Sequence, residues 1–228
     1  MPPRIAILTS GGGGGAEALI AATQDGRLDA EVTVIVCSKP PGAAGVYERI
    51  ARCNGRFGLD LQVVEVSRQT HPQGDRGRGQ TDAESAAITQ LLEAGGVDHV
   101  ALLGYMRIVR GRLLEEFGWS PGSPIHAGRM SNSHPGPLPE TADTYGLATA
   151  ARVLELGAGE TRHTLHLVSA GVDTGPILAE HPLEVYADDT AESLFRRVVA
   201  VERVAVPYAL GAFLSEVSAR TSAAGPKS

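Results

Sequence analysis

Apolar residues fall along this chain in short runs separated by polar, glycine-rich stretches. Residues 4–8, RIAIL, read as a short buried strand, and five glycines, Gly11, Gly12, Gly13, Gly14 and Gly15, follow it. Residues 16–22 look helical, and the β-branched run 31–37, EVTVIVC, is a second strand. A helix over 45–53 is expected to stop near Asn54 and Gly55, and residues 61–66 form a third strand. Residues 67–82 are polar and rich in Gly and Arg, which suggests a mobile loop. Residues 83–94 carry Ile88, Leu91 and Leu92 at helical spacing, 97–103 is a fourth strand, and 112–117 a short helix. Residues 118–128 hold two prolines and three glycines and read as a surface loop, leading to a strand over 129–133.

Through residue 135, strands alternate with helices. That order implies right-handed βαβ units and hence an α/β fold: an open, mostly parallel twisted sheet with helices on both faces. Beyond it, 148–156 reads as a helix, 164–168 and 177–185 as extended segments, and 191–211 as a long final helix. No internal repeat or linker interrupts the pattern, so residues 1–217 are expected to form a single domain. The small, polar stretch 218–228 is expected to be a disordered tail.

Composition narrows the function. Hydrophobic residues make up 43% of 228, enough for a proper core, and the net charge of −6 argues against a nucleic-acid surface. No run of 18 or more apolar residues is present, so no membrane span is expected, and the start lacks the features of a signal peptide. Two cysteines, Cys37 and Cys53, are too few for a disulfide framework or a structural zinc site. A reduced, cytoplasmic protein follows, with small-molecule substrates and a monomeric or homodimeric state.

Three stretches carry candidate chemistry. In SNSHPGPLP, residues 131–139, three prolines end a strand just after Asn132 and His134. Positions i and i+2 of a strand share a face, so both side chains should meet at its carboxyl end, where open α/β sheets bind ligands. An amide and an imidazole there suit an oxyanion; the plainer alternative is that they cap a turn. In HLVSAGVDTGP, residues 166–176, Asp173 sits on a glycine-flanked loop, either as a proton acceptor or in a local Asx-turn. The run TSGGGGGAEAL, residues 9–19, puts backbone amides at a helix start, an anion site without side-chain donors or else a plain flexible turn. His163 and His166 point to opposite faces of a strand and make a poor metal pair, so no metal is expected. Glu202, inside the last helix, reads by default as a solvated charge.

Together these stretches resemble the folate-dependent formyltransferases from about residue 5 to about residue 210. The likeness rests on SGGG after strand one, CSKPPGAAGVYERI, LLGYMRIV, NSHPGPLP, HLVSAGVDTGP and AVERVAVPYAL, in matching order and spacing. The resemblance implies a Rossmann-like formyltransferase fold. It also implies an enzyme that passes a formyl group from 10-formyltetrahydrofolate, its co-substrate, to a primary amine, glycinamide ribonucleotide or a related amine of purine biosynthesis. Asn132 and protonated His134 would stabilise the oxyanion, and Asp173 would raise the imidazole's proton affinity and help move the amine proton. The folate would lie along Leu103, Met106, Arg107, Ile108 and Val109 and the loop of Ala170, Gly171 and Val172. The acceptor would touch Gly11 to Gly15, Gly104, Pro135 and Glu202, with His166 behind the catalytic set.

The departures fall on the acceptor side. The family closes its phosphate loop with Ser-Asn where this chain has Gly14 and Gly15. Its Ser-Leu-Leu-Pro is here Gly136, Pro137, Leu138 and Pro139, and a segment that carries histidine in the family has none over 146–150. Residues 119–127 and 140–144 look inserted. Rival readings are a formyltetrahydrofolate hydrolase, in which water replaces the amine, and a non-catalytic folate-binding paralogue.

Overall fold

The computed structural model describes residues 1–73 and 77–223. Residues 74–76 of the expected mobile loop, and the expected tail from 224 onward, lie outside the described residues. Seven strands form one sheet in the order β3-β2-β1-β4-β5-β6-β7. The parallel half comprises β1 (Arg4–Thr9), β2 (Glu31–Cys37), β3 (Val63–Glu65), β4 (His99–Leu102) and β5 (Met130–His134). Two strands, β6 (Glu160–Leu167) and β7 (Ile177–Glu184), join antiparallel. The central strands are buried on both faces, which is why RIAIL and VIVC read as unbroken apolar runs rather than alternating ones.

Helices cover both faces. On one, α1 (Gly14–Gln24), α2 (Val46–Phe57) and α6 (Ala191–Ala223) bury Leu19, Ile20, Ile50 and Leu210 against Ile5, Ile7 and Ile35. On the other, α3 (Asp82–Ala94) and α4 (Gly111–Phe117) bury Ile88, Leu92, Leu113 and Phe117 against Ala6, Leu8 and Val36. A smaller cluster joins α5 (Leu147–Glu155) to α6 through Ala150, Val153, Leu194 and Val198. The winding direction reverses between β1 and β4, and the carboxyl ends of the strands around that reversal carry the site.

Several element ends differ from expectation for local reasons. Helix α2 passes through Asn54 and Gly55 and stops at Gly58, which adopts φ 68°. Asn54 does not break it because its side chain bonds outward, to the Leu61 carbonyl (2.9 Å) and amide (3.1 Å). Strand β6 begins at Glu160, because antiparallel pairing with β7 satisfies the backbone of the polar residues before His163. The surface loop before β5 contains a 3₁₀ turn, Ile125–Ala127.

Helix α6 runs on to Ala223, so 218–223 are helical rather than part of a tail. Gly211 sits inside it, where an added Cβ would come within 3.2 Å of Leu28 Cδ1. By length and composition alone α6 also passes as a membrane-crossing helix, a test that core helices pass too, and in the fold it packs on α1 and α5.

Burial forces two core histidines to stay neutral. His99 and His163 are each pushed down to about 3, chiefly by desolvation, with Arg129 adding to the effect at His99 and neighbouring imidazoles at His163. In the unfolded chain both return to about 6.5. Between these values the unfolded state binds more protons, so stability should fall as pH drops from 6.5 towards 3. Each histidine contributes up to about 1.4 kcal/mol per pH unit to that slope. Urea unfolding of His99→Gln across this range should show a visibly shallower acid limb than the parent; parallel limbs would refute the assignment.

Candidate active site

Strand β5 delivers Asn132 and His134 to the same side at its carboxyl end, as the i, i+2 spacing requires. Antiparallel pairing sets His166 of β6 directly opposite Asn132. The loop after β6 then folds Asp173 over the pair, with its backbone at φ 53°. Asn132 Nδ2 lies 3.1 Å from His166 Nε2 and 3.4 Å from Asp173 Oδ1. Asp173 Oδ2 is 3.7 Å from His134 Nδ1, and Oδ1 is 3.5 Å from His166 Nε2. The four side chains converge, and all but Asn132 are nearly buried. Asp173 makes no local Asx-turn: its Oδ2 accepts the amide of Asp143, 30 residues away, at 3.0 Å.

Burial and charge compete at this cluster. Burial pushes Asp173 up, but His166, His134 and the Asp143 amide outweigh it and hold the carboxyl below its ordinary range. For His134 burial wins: its proton affinity is lowered, although Asp173 pulls the other way. Desolvation of the imidazolium thus outweighs the stabilisation from one carboxylate 3.7 Å away, so the ligand-free site disfavours the protonated imidazole that the resemblance implies. His166 Nδ1 donates to the Leu167 carbonyl at 2.8 Å, so its Nε2 accepts from Asn132. That fixes the amide orientation and leaves Asn132 one loosely used N–H.

A cleft of about 260 Å³ opens beside the cluster. Met106, Arg107, Ile108, Val109, Ala170, Gly171 and Val172 line it, together with Gly104, Pro135 and Glu202. Leu103 does not. Alternation along the extended chain turns it to the opposite face, into the core with α1, and Leu102 faces the cleft instead. Arg107 lines the cleft, but its guanidinium is anchored to Glu84 (2.8 Å) and the Gly77 carbonyl (3.2 Å). Glu84 is fully buried and also closes a capping box with Thr81 at the start of α3, so Arg107 holds its loop in place.

The glycine run lies at the top of β1 outside the cleft lining. Gly13 adopts φ 72°, and a Cβ there would lie 2.8 Å from Val46 Cγ2, so this position demands glycine. At Gly14 the space a side chain would need is held by Arg203, whose Nη2 would lie 2.5 Å from an added Cβ. At Gly15 a Cβ would sit 3.1 Å from Glu202 Oε1, so Glu202 joins the loop to the cleft. Glu202 is not the solvated charge that its helical context suggested. Burial raises its carboxyl to about 7, against the opposing pull of the Ser133 hydroxyl and Arg203.

Sequence reasoning missed the contribution of the inserted loop. Asp143 hydrogen-bonds Asp173 through its amide and pairs with Arg78 through its carboxylate. Thr141 is fully buried against His134. The only available signal was that residues 140–144 follow the Asn-x-His-Pro stretch directly. Among the described residues, no group of three or more His, Cys, Asp or Glu side chains is placed to hold a metal ion. Removing the cation beside Glu202 should raise its carboxyl further. A ¹³C carboxyl titration of Arg203→Met, assigned with Glu202→Gln, should place the midpoint above that of the parent. A parent midpoint near about 4.3, the value of an unperturbed glutamate, would overturn the description.

Comparison with known proteins identifies the family. The family described as Formyl transferase matches residues 3–210. A phosphoribosylglycinamide formyltransferase of Mycobacterium tuberculosis is 33% identical over 99% of this chain and 93% of its own length. A trifunctional purine biosynthetic protein adenosine-3 of Drosophila melanogaster is 32% identical over 91% of this chain, which spans only 14% of that protein. Among solved structures, glycinamide ribonucleotide transformylase 1 from Symbiobacterium toebii superposes with a TM-score of 0.77 at 33% identity, covering 94% of this chain and 89% of that one. A formyltetrahydrofolate deformylase from Pseudomonas syringae, with a TM-score of 0.74 at 18% identity over 95% of this chain and 62% of its own, shares the fold alone. On its matched length and its similarity to these relatives, the chain belongs to the formyl transferase family.

Proposed function

We propose that the protein transfers the formyl group of 10-formyltetrahydrofolate to a primary amine, glycinamide ribonucleotide or a related amine. The observation that carries this reading is the convergence of Asn132, His134, His166 and Asp173 at one end of the cleft. The residues present fit a folate donor. Leu102, Tyr105, Val109 and Val168 give an apolar wall, and the turns through 104–109 and 168–173 line the rest of the cleft.

The donor supplies a formyl group bonded to nitrogen. The amine's lone pair attacks the formyl carbon and the carbonyl electrons move to oxygen. The Asn132 N–H that holds Asp173 only at 3.4 Å is placed to donate to that oxygen. His134 and Asp173 take the proton released by the amine and return one to the departing nitrogen as its bond to carbon breaks. Starting neutral, His134 accepts a proton without first losing one, and Asp173 offsets the charge it gains. The acceptor's anionic end would sit on the amides of residues 11–15 beside Arg203, and its hydroxyls against Glu202.

Purified protein should release tetrahydrofolate from 10-formyltetrahydrofolate only when an amine acceptor is added. Asn132→Ala should lower kcat on the order of 100-fold or more. Asp173→Ala should do likewise, with donor binding by either variant within a few-fold of the parent. Turnover without any amine would favour hydrolysis. Unchanged rates in both variants would refute the site assignment.

A further inference from the structure

The side chain that touches the distal nitrogen of His134 comes from the inserted loop. Thr141 Oγ1 lies 2.9 Å from His134 Nε2 and 2.6 Å from the Pro137 carbonyl oxygen. A hydroxyl has a single proton to donate, and a carbonyl oxygen can only accept. The Thr141 proton therefore goes to Pro137, and towards His134 the hydroxyl acts as acceptor. Nε2 must then carry hydrogen, leaving Nδ1, 3.7 Å from Asp173 Oδ2, as the open nitrogen.

The surroundings are built around this contact. Thr141 is fully buried, and its amide also bonds the Pro137 carbonyl at 3.0 Å, so its rotamer and backbone are pinned together. At Gly136, a Cβ would lie 2.5 Å from Thr141 Oγ1 and 2.6 Å from Thr149 Cγ2. Any side chain at residue 136 would expel Thr141 from its seat. The glycine after His134-Pro135 and the threonine five positions later thus form one structural unit.

We infer that Thr141 is a positioning residue: it fixes the His134 tautomer with hydrogen on Nε2 and presents Nδ1 as the proton-accepting atom beside Asp173. The inference rests on the reading of His134 as the imidazole that handles the amine proton. In the opposite tautomer Nδ1–H would face Asp173, and the accepting nitrogen would face a hydroxyl deep in the protein, away from that carboxylate.

Long-range ¹H–¹⁵N spectra of the histidine-labelled full chain test this directly, with His134 assigned by the signals lost in His134→Asn. The parent and Thr141→Ser should show the Nε2–H pattern. Thr141→Val, of nearly equal volume, should shift His134 towards Nδ1–H, and Gly136→Ala should mimic it. Misplacing the accepting nitrogen should lower kcat for formyl transfer by about 10-fold or more in Thr141→Val. KM for 10-formyltetrahydrofolate should stay within about twofold, since the donor's wall is untouched, and Thr141→Ser should restore kcat. An Nε2–H pattern retained in Thr141→Val, or an Nδ1–H pattern in the parent, would overturn the inference. If the parent transfers no formyl group to any amine, the proposed function fails, while the spectra still decide the role of Thr141.

Discussion

The site depends on a single desolvated carboxylate. Asp173 is almost buried, and burial alone would raise its proton affinity. The Asn132 side-chain amide and the Asp143 backbone N–H donate to it, and the two imidazoles stand within 3.7 Å of its oxygens. Each partner comes from a different place: β5 for Asn132 and His134, β6 for His166, and the inserted loop for the Asp143 amide. Stabilising that charge therefore requires the antiparallel β5–β6 pairing, the loop that follows β6 and the insertion to be in place together.

The loop at 140–144 supports His134 and Asp173 rather than decorating the surface. Thr141 reaches the distal nitrogen of His134 while the Asp143 amide donates to the Asp173 oxygen nearest that imidazole, so the loop contacts both residues. Its outer end is tied to the polar 67–82 stretch through Arg78 and Asp143, with Arg78 also lying over the Tyr145 ring. The rim of the cleft thus joins two segments that have no secondary structure in common. On the opposite wall, the buried Glu84–Arg107 pair anchors the loop after β4, spending a charged side chain on loop position rather than on ligand contact.

The proposed acceptor side is built in a related way. Glycines at 14 and 15 remove side chains from the loop after β1, and residues of α6 close on the space that is left. Arg203 stands against Gly14 and Glu202 against Gly15, so charges of opposite sign flank the approach to the cleft. Charged groups from a helix far along the chain thus stand where the loop itself offers no side chain.

The alternation of apolar runs with helical segments was enough to determine an α/β fold with a mostly parallel sheet, because strands buried on both faces leave an unmistakable apolar signature. Two-residue periodicity likewise determined that Asn132 and His134 share a face, and family resemblance joined them to Asp173 and Glu202. Other features were invisible along the chain because they depend on partners distant in sequence. Whether Leu102 or Leu103 faces the cleft, and that Arg107 turns to Glu84, follow from the packing of helices on the sheet. That the proton affinity of His134 is lowered by burial, while the partners of Asp173 outweigh its burial, is a property only of the assembled fold. The seat of Thr141 belongs to the same class: a threonine in a proline-rich loop has no special chemistry until tertiary structure closes it between an imidazole and a carbonyl.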